Sequence, residues 1–210
     1  MKKILAFLFA ISLCASIFAY DDDEFWINNR NVGIDAPIIM PSFDAMESGV
    51  SNFGVGWSYK QQHIYWPNGF VFQFTASEGV LMKQDFCYEN SFHIGFGVAF
   101  ASNKKAVVTL ASIIGSYNSV LVGYDSNSVD YAITSSFIIG LDFSATVRFS
   151  ENLGFFISAL VETPLIGATF WGAASNVHGN IYAEAGTKIL TPGDFFYIKP
   201  SIGLSITFGE

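Results

Sequence analysis

From residue 52 to the C-terminus, large apolar and small polar side chains alternate with period two. In Asn52-Phe53-Gly54-Val55-Gly56-Trp57-Ser58-Tyr59-Lys60 every odd residue is aromatic or Val and every even one is small or polar. Ser91 to Phe100 repeats the pattern with opposite parity, and Ile133 to Phe149 and Ile198 to Phe208 extend it. Such alternation divides the side chains between the two faces of a β-strand. Beyond the first 19 residues, no apolar run approaches the ~20 residues of a spanning helix. Gly33 to Met40 and Phe70 to Ala76 read as further strands. Turn signals at 102–104, 125–128, 150–152 and 191–194 separate the segments. No segment has helical periodicity, so the expected fold class is one all-β domain.

Composition narrows what such a domain can be. Only 13% of residues are charged, about half the ~25% of a soluble domain. Aromatic residues reach 17%, with 22 Phe and 9 Tyr, and the mean hydropathy is +0.39. A soluble enzyme needs more surface charge. The formal net charge of -8 excludes a nucleic-acid partner, because no basic patch can neutralise phosphates. A 51% hydrophobic content excludes disorder.

Residues 1–19 read as a secretory signal peptide: Lys2 and Lys3, an apolar stretch from Ile4 to Phe18, then Ala19 before Tyr20. Cys14 follows the bulky Leu13, which argues against lipidation. Loss of Lys2 and Lys3 takes the net charge from -8 to -10. Cys87 is then the one remaining cysteine, so no intrachain disulfide forms. Residues 20–30, opening with Asp21-Asp22-Asp23-Glu24, read as an acidic, flexible N-terminus, and residues 31–208 as the β-domain.

The composition of the polar face decides which side is outside. It is mostly Gly, Ser, Thr, Asn and Ala, with single charges such as Lys60, Asp142 and Arg148. Small residues suit the cramped interior of a narrow barrel, and large aromatic residues suit lipid and its interfaces. The expectation is therefore an antiparallel up-and-down transmembrane β-barrel. Trp57, Trp66 and Tyr59 read as an interfacial belt.

The last strand carries the most specific motif, Ser201-Ile202-Gly203-Leu204-Ser205-Ile206-Thr207-Phe208. It resembles the C-terminal insertion signal of bacterial outer-membrane barrels, with Ser201, Gly203, Ile206 and Phe208 at the key positions. The departure is the Gly209-Glu210 tail, since the family usually ends on the aromatic itself. The whole mature chain resembles the small eight-stranded outer-membrane barrels, the class of OmpX and the OmpA membrane domain. Its signal peptide and aromatic-rich strands also resemble spirochaetal barrels of unassigned function. The resemblance implies the outer membrane as location, its bilayer as partner and the barrel-assembly machinery as partner during biogenesis.

Nine segments read as strands: 31–40, 49–61, 69–80, 91–100, 105–123, 131–149, 153–164, 179–190 and 195–208. Bacterial single-chain barrels have an even number. The tight turns at 101–104 and 150–152 read as periplasmic, which makes 165–194 one extracellular excursion, a hairpin standing above the membrane. Eight strands is the expectation and ten the fallback. Strands 105–123 and 131–149 exceed the ~10 residues of a crossing and should protrude.

No metal, cofactor or catalytic signature is present. His63, His93 and His178 lie in different hairpins. Ser91 and His93 share an inward face, but lipid A deacylases of this architecture carry the pair in the order His-x-Ser, and an interior polar filler is the reading preferred. The charges Lys60, Asp142, Arg148, Glu162 and Lys199 are expected in the lumen, with Lys60 or Lys199 facing Asp142, and Glu162 facing Arg148. Cys87 is expected in an outer loop. Two non-enzymatic readings remain open. One is a structural or surface-interaction barrel with a plugged lumen and working extracellular loops. The other is a narrow channel for small or hydrophobic solutes. A lipid A enzyme ranks behind both.

Overall fold

The computed structural model describes residues 25–41, 54–66, 68–82, 86–103, 105–125, 128–177 and 180–209. The expected signal peptide and residues 20–24 lie outside the described residues. Ten strands follow in chain order: β1 (Phe25–Asp35), β2 (Ile38–Pro41), β3 (Gly54–Trp66), β4 (Phe70–Met82), β5 (Phe86–Asn103), β6 (Ala106–Asp125), β7 (Ser128–Arg148), β8 (Leu153–Val177), β9 (Asn180–Leu190) and β10 (Phe195–Gly209). All pairings are antiparallel.

Eight of the strands close a ring. The order β1-β3-β4-β5-β6-β7-β8 is completed by β10, which pairs with β8 on one side and β1 on the other. One circuit of the register runs Asn29, Gln62, Gln73, Gly95, Ile113, Gly140, Glu162, Tyr197 and back to Ile39. It returns ten residues above its start, the stagger of a narrow barrel whose strands tilt by roughly 40°. β2 continues β1 after a break at Ala36-Pro37, where Pro37 has no N–H to give and Ala36 N donates to Pro200 O at 2.9 Å.

The first strand begins at Phe25, so the boundary expected at residue 31 moves back by six residues. Residues 28–31 are Asn28-Asn29-Arg30-Asn31, polar on both faces, so hydropathy alternation gives no sign of the strand. Pairing with β3 and β10 on its two sides holds it nevertheless.

Both termini of the barrel lie at one end, with short turns between β3 and β4, β5 and β6, and β7 and β8. The turn before β4 places Gly69 at φ 65, a conformation that favours glycine, and Asn68 Oδ1 accepts from Phe70 N at 2.9 Å. The other end is raised on one side. A register shift between Phe137 and Ile138, opposite Pro164 and Ile166, marks where β8 leaves the ring. Below the shift β8 pairs with β10; above it, from Gly167 to Val177, it pairs with β9. The upper parts of β7 and β8 with β9 thus form the hairpin sheet expected for 165–194. Both faces of β9 are exposed for most of its length.

Candidate functional site: the lumen and the raised sheet

The barrel is inverted. On its outer face Ile34 is 65% exposed, Phe155 58% and Ile202 62%, whereas inside Lys60 is 3% exposed and Asp142 and Glu162 1% each. Monomers in water rarely expose contiguous apolar patches beyond a few hundred Å². Here an apolar belt encircles the ring, and the charged side chains fill its centre. Lipid is the solvent that suits this surface.

The ring places β3 opposite β7, and β5 opposite β10. Two charged braces use these diameters. Lys60 Nζ on β3 lies 2.7 Å from Asp142 on β7, and Gln73 Nε2 donates to the same carboxylate at 2.7 Å. Lys199 Nζ on β10 lies 3.5 Å from Glu89 Oε1 on β5 and donates to Ser77 Oγ at 2.6 Å. The Tyr197 hydroxyl donates to Glu89 as well. Gln62 Nε2 ties the first brace to Gln73, Thr109 and Ser144 at 3.0–3.1 Å. Ser58 Oγ donates to Asp35 Oδ1 at 2.7 Å. Buried charges persist only when paired and hydrogen-bonded, and strands on opposite walls supply each other's partners.

An apolar cluster lies at each end of this polar section. At the terminus end Ile27, Ile64, Val71, Ala99 and Val107 pack together. Phe156 fills the remaining side, its ring lying where β1 and β10 carry Gly33 and Gly203; a Cβ at Gly33 would stand 2.5 Å from Phe156 Cζ. At the raised end Leu81, Cys87, Tyr117, Leu121, Ile138 and Tyr197 form the second cluster.

Four of the five expected lumen charges, Lys60, Asp142, Glu162 and Lys199, are buried there; of the two partners left open for Asp142 it is Lys60 that meets it, and Lys199 lies beside Glu89. Arg148 does not meet Glu162. Arg148 stands opposite Gly154 at the terminus end of β8, and Glu162 is opposite Gly140, eight residues or ~26 Å further along the strand. Glu162 instead faces His93, Oε2 to Nε2 at 2.8 Å. Ser91 bonds Ser77 at 2.7 Å. Cys87 is not in an outer loop: β5 starts at Phe86, and alternation turns Phe86 and Tyr88 outward, Cys87 and Glu89 inward. Glu89, Asp35, Gln62 and Gln73 escaped the sequence reading. Glu89 shares the parity of Ser91 and His93, which would have revealed it had β5 been started five residues earlier. In the last strand Ser201 is buried, while Ile206 and Phe208 face outward and Gly203 lies beside the Phe156 ring. Among the described residues no group of three or more His, Cys, Asp or Glu could hold a metal ion.

No family model and no curated protein matches the chain. Solved structures resemble it faintly. Neisserial surface protein A is 12% identical, with 89% of this chain and 100% of that chain covered, at a TM-score of 0.47. Ail, the attachment invasion locus protein of Yersinia pestis, in complex with the heparin analogue sucrose octasulfate, is 10% identical over 87% and 99%, at 0.48. The translocator domain of the autotransporter NalP from Neisseria meningitidis is 10% identical over 98% and 96%, at 0.38. The chain itself is an antiparallel up-and-down β-barrel with a ring of eight strands and its apolar side outward, the architecture of the small outer-membrane barrels.

Proposed function

We infer that the protein is a non-enzymatic outer-membrane barrel whose lumen is a closed anchor and whose working part is the raised sheet. The observation that carries this reading is the lumen itself: two braces across its diameters, each ending in a buried ion pair, between two apolar layers. A channel would need a continuous wet path, and these side chains occupy it. The long excursion stands on the end opposite the short turns and the termini, which in barrels of this class is the extracellular side. Interaction with a surface ligand or neighbouring protein falls to β9 and the upper half of β8, which leave both faces of β9 in solvent.

Ala174 of upper β8 is exposed and pairs with Ala183 of β9, so it reports the position of the sheet. An Ala174→Cys protein in intact cells should react with a membrane-impermeant maleimide, while the wild type, whose Cys87 is buried, should not. Labelling of Ala174→Cys only after the outer membrane is permeabilised would put the sheet on the periplasmic side and end the surface role.

A further inference from the structure

Near the terminus end the outward face of the barrel carries a polar cluster that includes a charge, distinct from the Asn90–Asn118–Ser135 ladder farther up. There β1 and β3 present Asn28 opposite His63 and Arg30 opposite Gln61. Arg30 is exposed, and the other three are half-buried. At equivalent depth the other strands carry residues such as Phe72, Ile94, Leu110, Phe143 and Ile206 on this face. Among the described residues, Arg30 is the one charged side chain that projects outward from the terminus-side half of the strands. Gln61 and His63 are held by their neighbours. Tyr59 OH donates to Gln61 Oε1 at 3.2 Å, Gln61 Nε2 lies 2.9 Å from His63 Nε2, and the His63 ring stacks on Phe72 at 6.3 Å.

Arg30 does not point to the bilayer centre. Its guanidinium lies over the ring of Phe208, Cζ 4.9 Å from the centroid, and Phe208 pairs with Asn28, one outward position nearer the terminus end. The side chain is therefore bent toward the interface, as long cations in membranes are. Asn28 has its carbonyl oxygen buried, which leaves the amide nitrogen as the outward end. The patch thus offers a guanidinium and an amide donor side by side, and its described outward neighbours include no carboxylate. A second copy related by a two-fold axis would bring two Arg30 cations together. An anion fits instead.

We propose that Asn28, Arg30, Gln61 and His63, beside the Phe208 ring, form a binding site for the phosphate headgroup of a glycerophospholipid in the terminus-side leaflet. The guanidinium holds the two non-bridging phosphate oxygens in a bidentate pair, Asn28 donates to one of the same oxygens, and the acyl chains follow the apolar belt above. The site rests on the reading of the chain as a membrane-spanning barrel.

The test titrates phosphatidylglycerol, and separately diacylglycerol, which has the same chains without phosphate, into refolded protein in detergent. Native mass spectrometry counts the bound lipid. The wild type should retain one phosphatidylglycerol in preference to diacylglycerol. Arg30→Gln should weaken that retention on the order of tenfold, as loss of a bidentate charged pair implies, Asn28→Leu should weaken it less, and Arg30→Lys should keep part of it. Equal retention of the two lipids, or an Arg30→Gln protein that binds as tightly as wild type, would overturn the site. So would a dimer that Arg30→Gln dissociates, because the occupant would then be a second copy. Heat-modifiable mobility on gels is read in parallel for every variant. Its absence in the wild type would refute the barrel, whereas a folded barrel without phosphate preference refutes the site alone.

Discussion

Replacing Asp142 by Ala removes one end of the brace between β3 and β7 and leaves the Lys60 ammonium buried with its partner gone. Asp142 accepts from both Lys60 and Gln73 at 2.7 Å, and both ends of the pair are nearly inaccessible to solvent. Breaking a buried pair from one side costs about 3–5 kcal/mol, and the stranded Gln73 amide adds about 1 kcal/mol. The expected loss is therefore about 4–6 kcal/mol, a factor on the order of 10³–10⁴ in the folding equilibrium. Replacing both ends by apolar residues of similar volume, Lys60→Met with Asp142→Leu, removes the unpaired charge and should restore at least about 2 kcal/mol of that loss. Reversible urea unfolding of the protein refolded into lipid vesicles, followed by tryptophan fluorescence, measures all three variants and the wild type. An Asp142→Ala loss below about 1 kcal/mol, the range of solvent-screened pairs, would mean that water reaches Lys60. A double variant no more stable than the single one would show that the charge was not the source of the loss. Either result would refute the argument.

Gly33→Ala sets a Cβ 2.5 Å from Phe156 Cζ and should lower the stability by about 1–3 kcal/mol through overpacking; Phe156→Leu in the same chain should recover part of it, and failure to recover would move the strain elsewhere. Phe208→Ala should reduce the folded fraction in cells more than it lowers the unfolding midpoint of protein already folded, since Phe208 ends the strand that resembles the insertion signal. Equal effects on assembly and midpoint would leave Phe208 a lipid-facing anchor only.

The barrel was legible because each long strand alternates strongly enough to show its faces, and because the small-residue composition of one face identified the lumen. The excursion over 165–194 was foreseen from strand parity, although not the continuation of the 153–164 strand to Val177 nor the register shift at Pro164 that lets β8 change partners. Lys60 and Asp142 were placed inside by alternation alone, and proposing their pairing needed only opposite charge. What sequence could not give was the stagger. Arg148 and Glu162 sit on adjacent strands, yet register puts them eight residues apart, and the His93–Glu162 and Lys199–Glu89 contacts join strands remote in the chain. The Asn28–Asn31 segment was missed for a related reason. With polar residues on both faces it has no hydropathy period, and the site proposed around Arg30 is that same departure from alternation.

The central claim is that the lumen is closed and the protein acts outside it. Planar-bilayer recording of the refolded wild-type protein tests it directly, with folded insertion verified by heat-modifiable mobility. The account predicts a silent membrane, since on the proposed reading the Lys60–Asp142 and Lys199–Glu89 braces and the apolar clusters at either end fill the path. Stable, reproducible conductance steps from the unmutated protein would contradict it and establish a narrow channel.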